Sequence, residues 1–112
     1  MEELVEKYRK FVKERSWEKF HNPKNLAAAL SVEASELLEI FMWLDSNQSL
    51  NLNPSRLQNV KDEMGDIFLY LLRLADVLNL DLLEITKEKF TKVEKKYTLE
   101  KSLETARNIE EP

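Results

Sequence analysis

At 112 residues, 43% hydrophobic and 34% charged, the chain is sized for one amphipathic domain, and a single glycine with only three prolines disfavours a sheet built from hairpins and favours long helices. A formal net charge of −4, from 17 basic and 21 acidic residues, argues against sequence-independent binding to a nucleic acid polymer. Cysteine is absent, which removes disulfides and thiolate chemistry; no apolar run reaches bilayer length, and the opening MEELVEKYRKF is too acidic for a signal peptide, so the expected setting is cytoplasmic, away from any membrane.

The first helix is expected from about Glu2 to Lys19, with Leu4, Tyr8, Phe11, Val12 and Arg15 on one face. Asn22 before Pro23 supplies an N-cap and a first-turn proline for a second helix running to about Leu44. Its apolar stripe comprises Leu26, Leu30, Leu37, Ile40, Phe41 and Leu44. Asp45–Asn53 reads as a polar loop. Asn53 and Pro54 repeat the start signal and open a third helix to about Leu78, striped by Leu57, Val60, Met64, Ile67, Phe68, Leu71 and Ala75. A short turn at Asn79 predicts a tight antiparallel hairpin with a fourth helix, which opens with Asp81 and Glu84 at capping-box spacing and continues through Leu83, Phe90, Val93 and Tyr97. The expectation is therefore an all-α, four-helix bundle-like domain over residues 1–97, followed by a polar C-terminal tail, 98–112, that is weakly helical at best.

Two acidic pairs stand out against this frame. Glu33 and Glu36, and then Glu63 and Asp66, are each spaced i, i+3, so each pair projects from one helix face. Both pairs interrupt apolar stripes: Ala29, Leu30 and Leu37 share a face with Glu33, and Val60, Ile67 and Tyr70 with Glu63 and Asp66. Carboxylates facing a core are costly and repel one another unless a cation neutralises them, and Mg2+ is a hard ion that takes oxygen ligands. An isolated acidic pair is ordinarily a solvated helix face; two pairs within two apolar stripes point to one metal site between helices. Gly65, between Glu63 and Asp66, costs about 1 kcal/mol against alanine inside a helix, and it marks either a close approach of backbone or ligand or a plain helix crossing.

An aromatic group, Trp17, Phe20 and His21 before the second helix and Trp43 after it, offers flat faces for a nucleobase, although tryptophans in small domains are more often core or interface residues. No Glu-x-x-His pair accompanies the acids, which argues against a di-iron bundle. Lys87, Lys89, Lys92, Lys95 and Lys96 crowd the fourth helix, mostly as solvated partners of Glu88 and Glu94, with one or two in reach of a polyphosphate if that helix borders the acids. One glycine cannot build a Walker loop.

Taken together, WEKFHNPKNLAAALSVEASELLEIFMW and KDEMGDIFLYLLRLA resemble the MazG-type all-α nucleotide pyrophosphohydrolases, closest to the branch that contains dCTP pyrophosphatase and the small single-domain MazG-like proteins. The E-x-x-E and E-x-x-D signatures are Glu33, Glu36, Glu63 and Asp66; the W-x-x-F-H-x-P-x-N-L lead-in is Trp17, Phe20, His21, Pro23, Asn25 and Leu26. The resemblance covers roughly residues 15 to 97. It implies an enzyme that splits a (deoxy)nucleoside triphosphate, dCTP or a modified nucleotide among the candidates, into monophosphate and pyrophosphate for nucleotide-pool house-cleaning. By the same resemblance the four acids are the catalytic and Mg2+-binding residues, with Mn2+ as a substitute ion. Trp17, His21, Asn25, Trp43, Tyr70, Lys89 and Lys96 would bind the nucleotide, and the molecule would be a homodimer or homotetramer. Val32 stands where many relatives carry a second Glu, and Val93 and Thr98 replace an Asn and a Pro near the end, which bears on base preference. The rival readings are a non-catalytic helical interaction protein and a nucleotide-binding sensor without turnover.

Overall fold

The computed structural model describes residues 1–110, and these are helical without strands. The helices are α1 (Glu2–Glu14), α2 (Pro23–Phe41), α3 (Ser46–Leu50), α4 (Pro54–Val77), α5 (Leu82–Lys96) and α6 (Leu99–Glu110), with one 3-10 turn at Glu18–Phe20. The chain divides into two compact units, one of Met1–Leu80 and a second beginning at Asp81, so the division falls inside the stretch expected as one domain. No described helix is long and apolar enough to cross a membrane.

In the first unit, the long helices α2 and α4 form the main packing pair, and α1 lies on α4. Both long helices begin as their sequence dictates. The Asn22 side chain accepts from the Asn25 backbone N–H at 2.9 Å, and Asn53 accepts from that of Arg56 at 2.8 Å, each with proline in the first turn. Among the described residues the buried side chains are few: Val12 from α1, Leu26 from α2, Leu72 and Ala75 from α4. They tie the three helices together at the end of the unit where α1 and α4 finish and α2 starts.

Two helix ends carry left-handed residues that are not glycine. After α1, Ser16 adopts φ 55°, while its N–H donates to Lys13 O and the Trp17 N–H to Val12 O. After α4, Asn79 adopts φ 57°, with its own N–H on Asp76 O and that of Leu80 on Ala75 O. In both places the paired bonds satisfy the last helical carbonyls. This break at Ser16 stops α1 at Glu14, short of the expected Lys19, and turns Trp17–Phe20 into a separate single turn.

The polar loop contains α3, set by a reciprocal cap: Gln48 N–H donates to Asp45 Oδ1 at 2.8 Å, and the Asp45 N–H to Gln48 Oε1 at 2.9 Å. In the second unit, Asp81 caps α5 through Glu84 N–H at 3.0 Å. The segment expected as a weakly helical tail forms α6 through Glu110; its start is held by the Lys101 N–H donating to Thr98 Oγ1. Residues 111–112 of that tail lie outside the described residues.

Candidate functional site

Four charged or polar positions fix how α2 and α4 run. Glu33 on α2 meets Glu63 on α4. Just ahead of α2, His21 accepts a hydrogen bond from Arg73, about one turn past Tyr70 on α4, at 3.1 Å. Moving forward along one helix therefore means moving back along the other: the pair is antiparallel. The two contacts lie ten residues apart on α4, or about 15 Å at 1.5 Å per residue.

At the acidic end, Glu33, Glu36 and Glu63 each offer a carboxylate oxygen, and the three lie within 4.8 Å of one another. Glu33 Oε2 and Glu63 Oε2 are shut away from solvent with no hydrogen-bond donor, while Glu36 is exposed. A buried carboxylate oxygen ordinarily has a donor, so two orphans side by side are an anomaly that asks for a cation. The Glu33 carboxyl is held above its ordinary value, first by the adjacent Glu63 carboxyl, then by burial, with the charges of Glu63 and Asp66 adding to the effect and the neighbouring Glu36 carboxyl opposing it. Glu36 is raised too, chiefly by the adjacent Glu33 carboxyl. Both shifts describe carboxylates that crowd one another. Oxygen-only ligands of this kind suit a hard divalent ion. Thus the residues present fit a metal, and the fit rests on the donorless oxygens as well as the acidic residues.

Asp66 is one turn further along α4, exposed, and outside this three-carboxylate group, although its charge is felt at Glu33. Gly65 is crowded by nothing: a Cβ there would meet no atom within 4 Å, so within this chain it is neither a helix crossing nor a close backbone approach. Alongside the acids, Glu36, Glu39, Ile40, Asn59, Asp62 and Glu63 line an open groove between α2 and α4.

At the other end, four rings close a circuit. Tyr8 meets Phe11 edge-on at 6.5 Å between centroids, Phe11 meets Trp17 at 5.4 Å, Trp17 is tilted against His21 at 6.2 Å, and His21 meets Tyr8 edge-on at 6.4 Å. Trp17 remains 42% exposed, which leaves ring surface free to stack. Asn25 pins the approach to α2 by donating its Nδ2 to Phe20 O at 3.1 Å. Tyr70 is half-buried on α4 one turn past Asp66. Trp43 is not brought to this group by the fold of the unit; it stands 89% exposed just beyond α2. Lys89 and Lys96 are exposed on α5 in the second unit.

Tyr8, Arg9, Arg73 and Asp76 are the members of this end that acidic pairs and tryptophans do not reveal. The Tyr8 hydroxyl is pushed up by burial and then by Tyr70, with Asp66 adding and Arg73 opposing, which sets it over the α4 face that carries all three. Arg73 and Asp76 carry a signal of their own: two charges at i, i+3 inside the apolar run from Leu69 to Leu78.

The fold and these two ends define an all-α protein with a carboxylate cluster suited to a divalent cation. A profile of the MazG-like family matches residues 28–111, and the chain belongs to that family. It is 33% identical over 84 residues to human dCTP pyrophosphatase 1 and 34% identical over 84 residues to the bovine protein, in each case over 73% of this chain. The chain spans about half the length of these curated relatives, 49% and 50% respectively. Among solved structures it is similar to a pyrophosphatase from Archaeoglobus fulgidus, with a TM-score of 0.83, 42% identity, and coverage of 88% of this chain and 92% of that one.

Proposed function

We propose that the protein hydrolyses a (deoxy)nucleoside triphosphate, with dCTP or a modified nucleotide as the leading candidates, to the monophosphate and pyrophosphate. The observation that carries this reading is the meeting of Glu33, Glu36 and Glu63 with two buried oxygens that lack any donor. Glu33, Glu36 and Glu63 would hold Mg2+, or Mn2+ in its place, with Asp66 a turn beyond as the fourth ligand. A bound cation of this kind neutralises the carboxylates and the negative charge of the phosphate chain.

The residues of the chain divide the remaining work by position. Water attacks the α-phosphorus; an O–P bond forms there as the bond to the bridging oxygen breaks, and pyrophosphate leaves. Glu36, the exposed member of the cluster, would accept the proton of that water. Further along α4, where Arg73 meets His21, the rings around Trp17 and His21 would take the base. Support for this division comes from the antiparallel pairing of α2 and α4, which puts acids at one end and aromatic surface at the other.

A homodimer or homotetramer is part of the same proposal. Val32, Leu38, Met42 and Trp43 on and after α2, and Met64 on α4, are each about half exposed or more, a larger apolar display than a lone chain ordinarily keeps in water. Trp43 would then be covered by a second copy.

The test is a product assay with each common ribo- and deoxynucleoside triphosphate, dCTP included, with Mg2+ and with Mn2+. Monophosphate plus pyrophosphate is the expected outcome. Diphosphate plus orthophosphate would place the cut elsewhere and overturn the mechanism. No turnover together with a nucleotide-dependent rise in melting temperature would identify a sensor.

A further inference from the structure

His21 is the chain's single histidine, and the atoms around it restrict its chemistry. Arg73 Nε donates to His21 Nδ1 at 3.1 Å. A guanidinium has donors only, so Nδ1 must present its lone pair; the ring proton then sits on Nε2. The imidazolium form would point an N–H at a fixed cation and is disfavoured twice, by geometry and by charge.

Arg73 is itself held. Its Nη1 donates to Asp76 Oδ2 at 3.2 Å, and the Arg73 and Asp76 side chains are only 11% and 14% exposed. Asp76 in turn receives Arg9 of α1, whose Nε reaches Oδ2 at 2.8 Å and whose Nη2 reaches Oδ1 at 2.5 Å. The chain of contacts runs from α1 through α4 to the turn before α2, so three separate segments agree on the orientation of one ring. The other groups facing that ring are Tyr8 from α1 and Trp17 from the preceding turn.

We propose that Arg73 is a positioning residue that locks His21 as the Nε2–H tautomer, so that the ring offers the nucleotide a neutral hydrogen-bond donor and can accept none. This deepens the function proposed above and rests on it for the identity of the ligand. Arg73 and Glu63 stand ten residues apart on α4, and His21 packs against Trp17 among the rings assigned to the base, so the acceptor it meets belongs to the base or sugar. Burial, followed by the Arg73 charge, depresses the His21 pKa, in keeping with a ring that stays neutral at physiological pH. A substrate whose facing atom is a donor would leave two donors opposed and be rejected.

With one histidine, nitrogen-15 spectra of the full chain report on this ring alone. The wild type is expected to show the proton on Nε2 throughout neutral pH, with titration below the ordinary 6.5. In Arg73→Gln, whose amide both donates and accepts, the two tautomers should mix and the titration should move back up toward 6.5. Arg73→Lys, which keeps the charge and a donor, should restore much of the wild-type spectrum. In pyrophosphate release from dCTP or the best nucleotide of the panel, Arg73→Gln should raise KM by up to about tenfold, with a smaller change in kcat. A proton on Nδ1 in the wild type overturns the proposal whether or not the variants fold. So does an Arg73→Gln spectrum and titration identical to wild type. If the wild type hydrolyses no nucleotide and its ring spectrum does not respond to any of them, the function proposed above falls and takes the donor role with it; if hydrolysis proceeds and only the tautomer result fails, the function stands and this inference alone is lost.

Discussion

Replacing Glu63 with glutamine separates the electrostatics of the acidic cluster from its chemistry. Without metal, Glu33 and Glu63 place charged oxygens within 4.8 Å of each other. Two unit charges at that distance repel by about 0.9 kcal/mol in water and about 3.5 kcal/mol at an effective dielectric of 20. One oxygen of each group is enclosed and the groove beside them is open, so the true cost lies in the lower part of this range. The Glu63→Gln amide removes that repulsion and gives Glu33 Oε2 a donor, a hydrogen bond worth about 1 kcal/mol. The metal-free variant should therefore be more stable than wild type by about 2 kcal/mol, or several degrees in melting temperature.

Magnesium should reverse the order. Wild type gains stability with ion concentration because the ion binds only the folded state, whereas Glu63→Gln, having lost a ligand, gains little. Melting curves in chelator and across a magnesium series at about pH 8, where carboxyls with raised pKa values are ionised, give both quantities. Pyrophosphate release by the variant should drop at least about a hundredfold. A variant less stable than wild type in chelator would refute the repulsion argument, and equal magnesium stabilisation of the two proteins would refute the assignment of Glu63 as a ligand.

Three further outcomes follow from other parts of the first unit. Gly65→Ala should raise stability to urea by about 1 kcal/mol, because the added methyl meets open space and the helix gains propensity; a loss would reveal a neighbour from a second copy. Asp76 is held below its ordinary 3.8, first by the Arg9 hydrogen bond and against the effect of burial, so the unfolded chain takes up its proton before the folded one does. Its contribution is then complete above 3.8 and is lost as pH falls through the depressed value, and Arg9→Gln should flatten this acid limb in melting temperatures measured against pH. Trp43→Ala should weaken self-association about 30-fold or more by light scattering, as expected for removal of a central interface tryptophan; an unchanged assembly would place the contact elsewhere.

The parts of this molecule that could be read from sequence are those with local causes. Asn22–Pro23 and Asn53–Pro54 start helices because a side-chain oxygen caps the third N–H and proline fits the first turn, a matter decided within four residues. Asp45 and Gln48 send the same kind of signal, but a search for apolar periodicity passes over a five-residue helix. The tail is similar: Leu99 and Leu103 stand at helical spacing, and Thr98 caps them, yet its polarity reads as a loop. The end of α1 had no such marker, since Ser16 takes the left-handed conformation that glycine usually announces.

The site divides along the same line. That each acidic pair shares a face follows from helical geometry alone, but which members converge depends on how α2 and α4 are rotated about their axes, and that is set by packing far from the acids. The structure brings Glu33, Glu36 and Glu63 together and leaves Asp66 a turn away. The link from Arg73 to His21 spans 52 residues of sequence and has no local cause whatever. Its trace is nonetheless of the same kind as the acids: charge where an apolar stripe should continue. Applied evenly along α4, that criterion selects Glu63 and Asp66 at one end and Arg73 and Asp76 at the other. A buried charge needs a partner wherever it occurs. At Arg73 the partners are Asp76 and the His21 ring, already present in the chain. At Glu33 Oε2 and Glu63 Oε2 the described residues supply no donor, and that asymmetry is what sets the acidic end apart from the one whose charges are already paired.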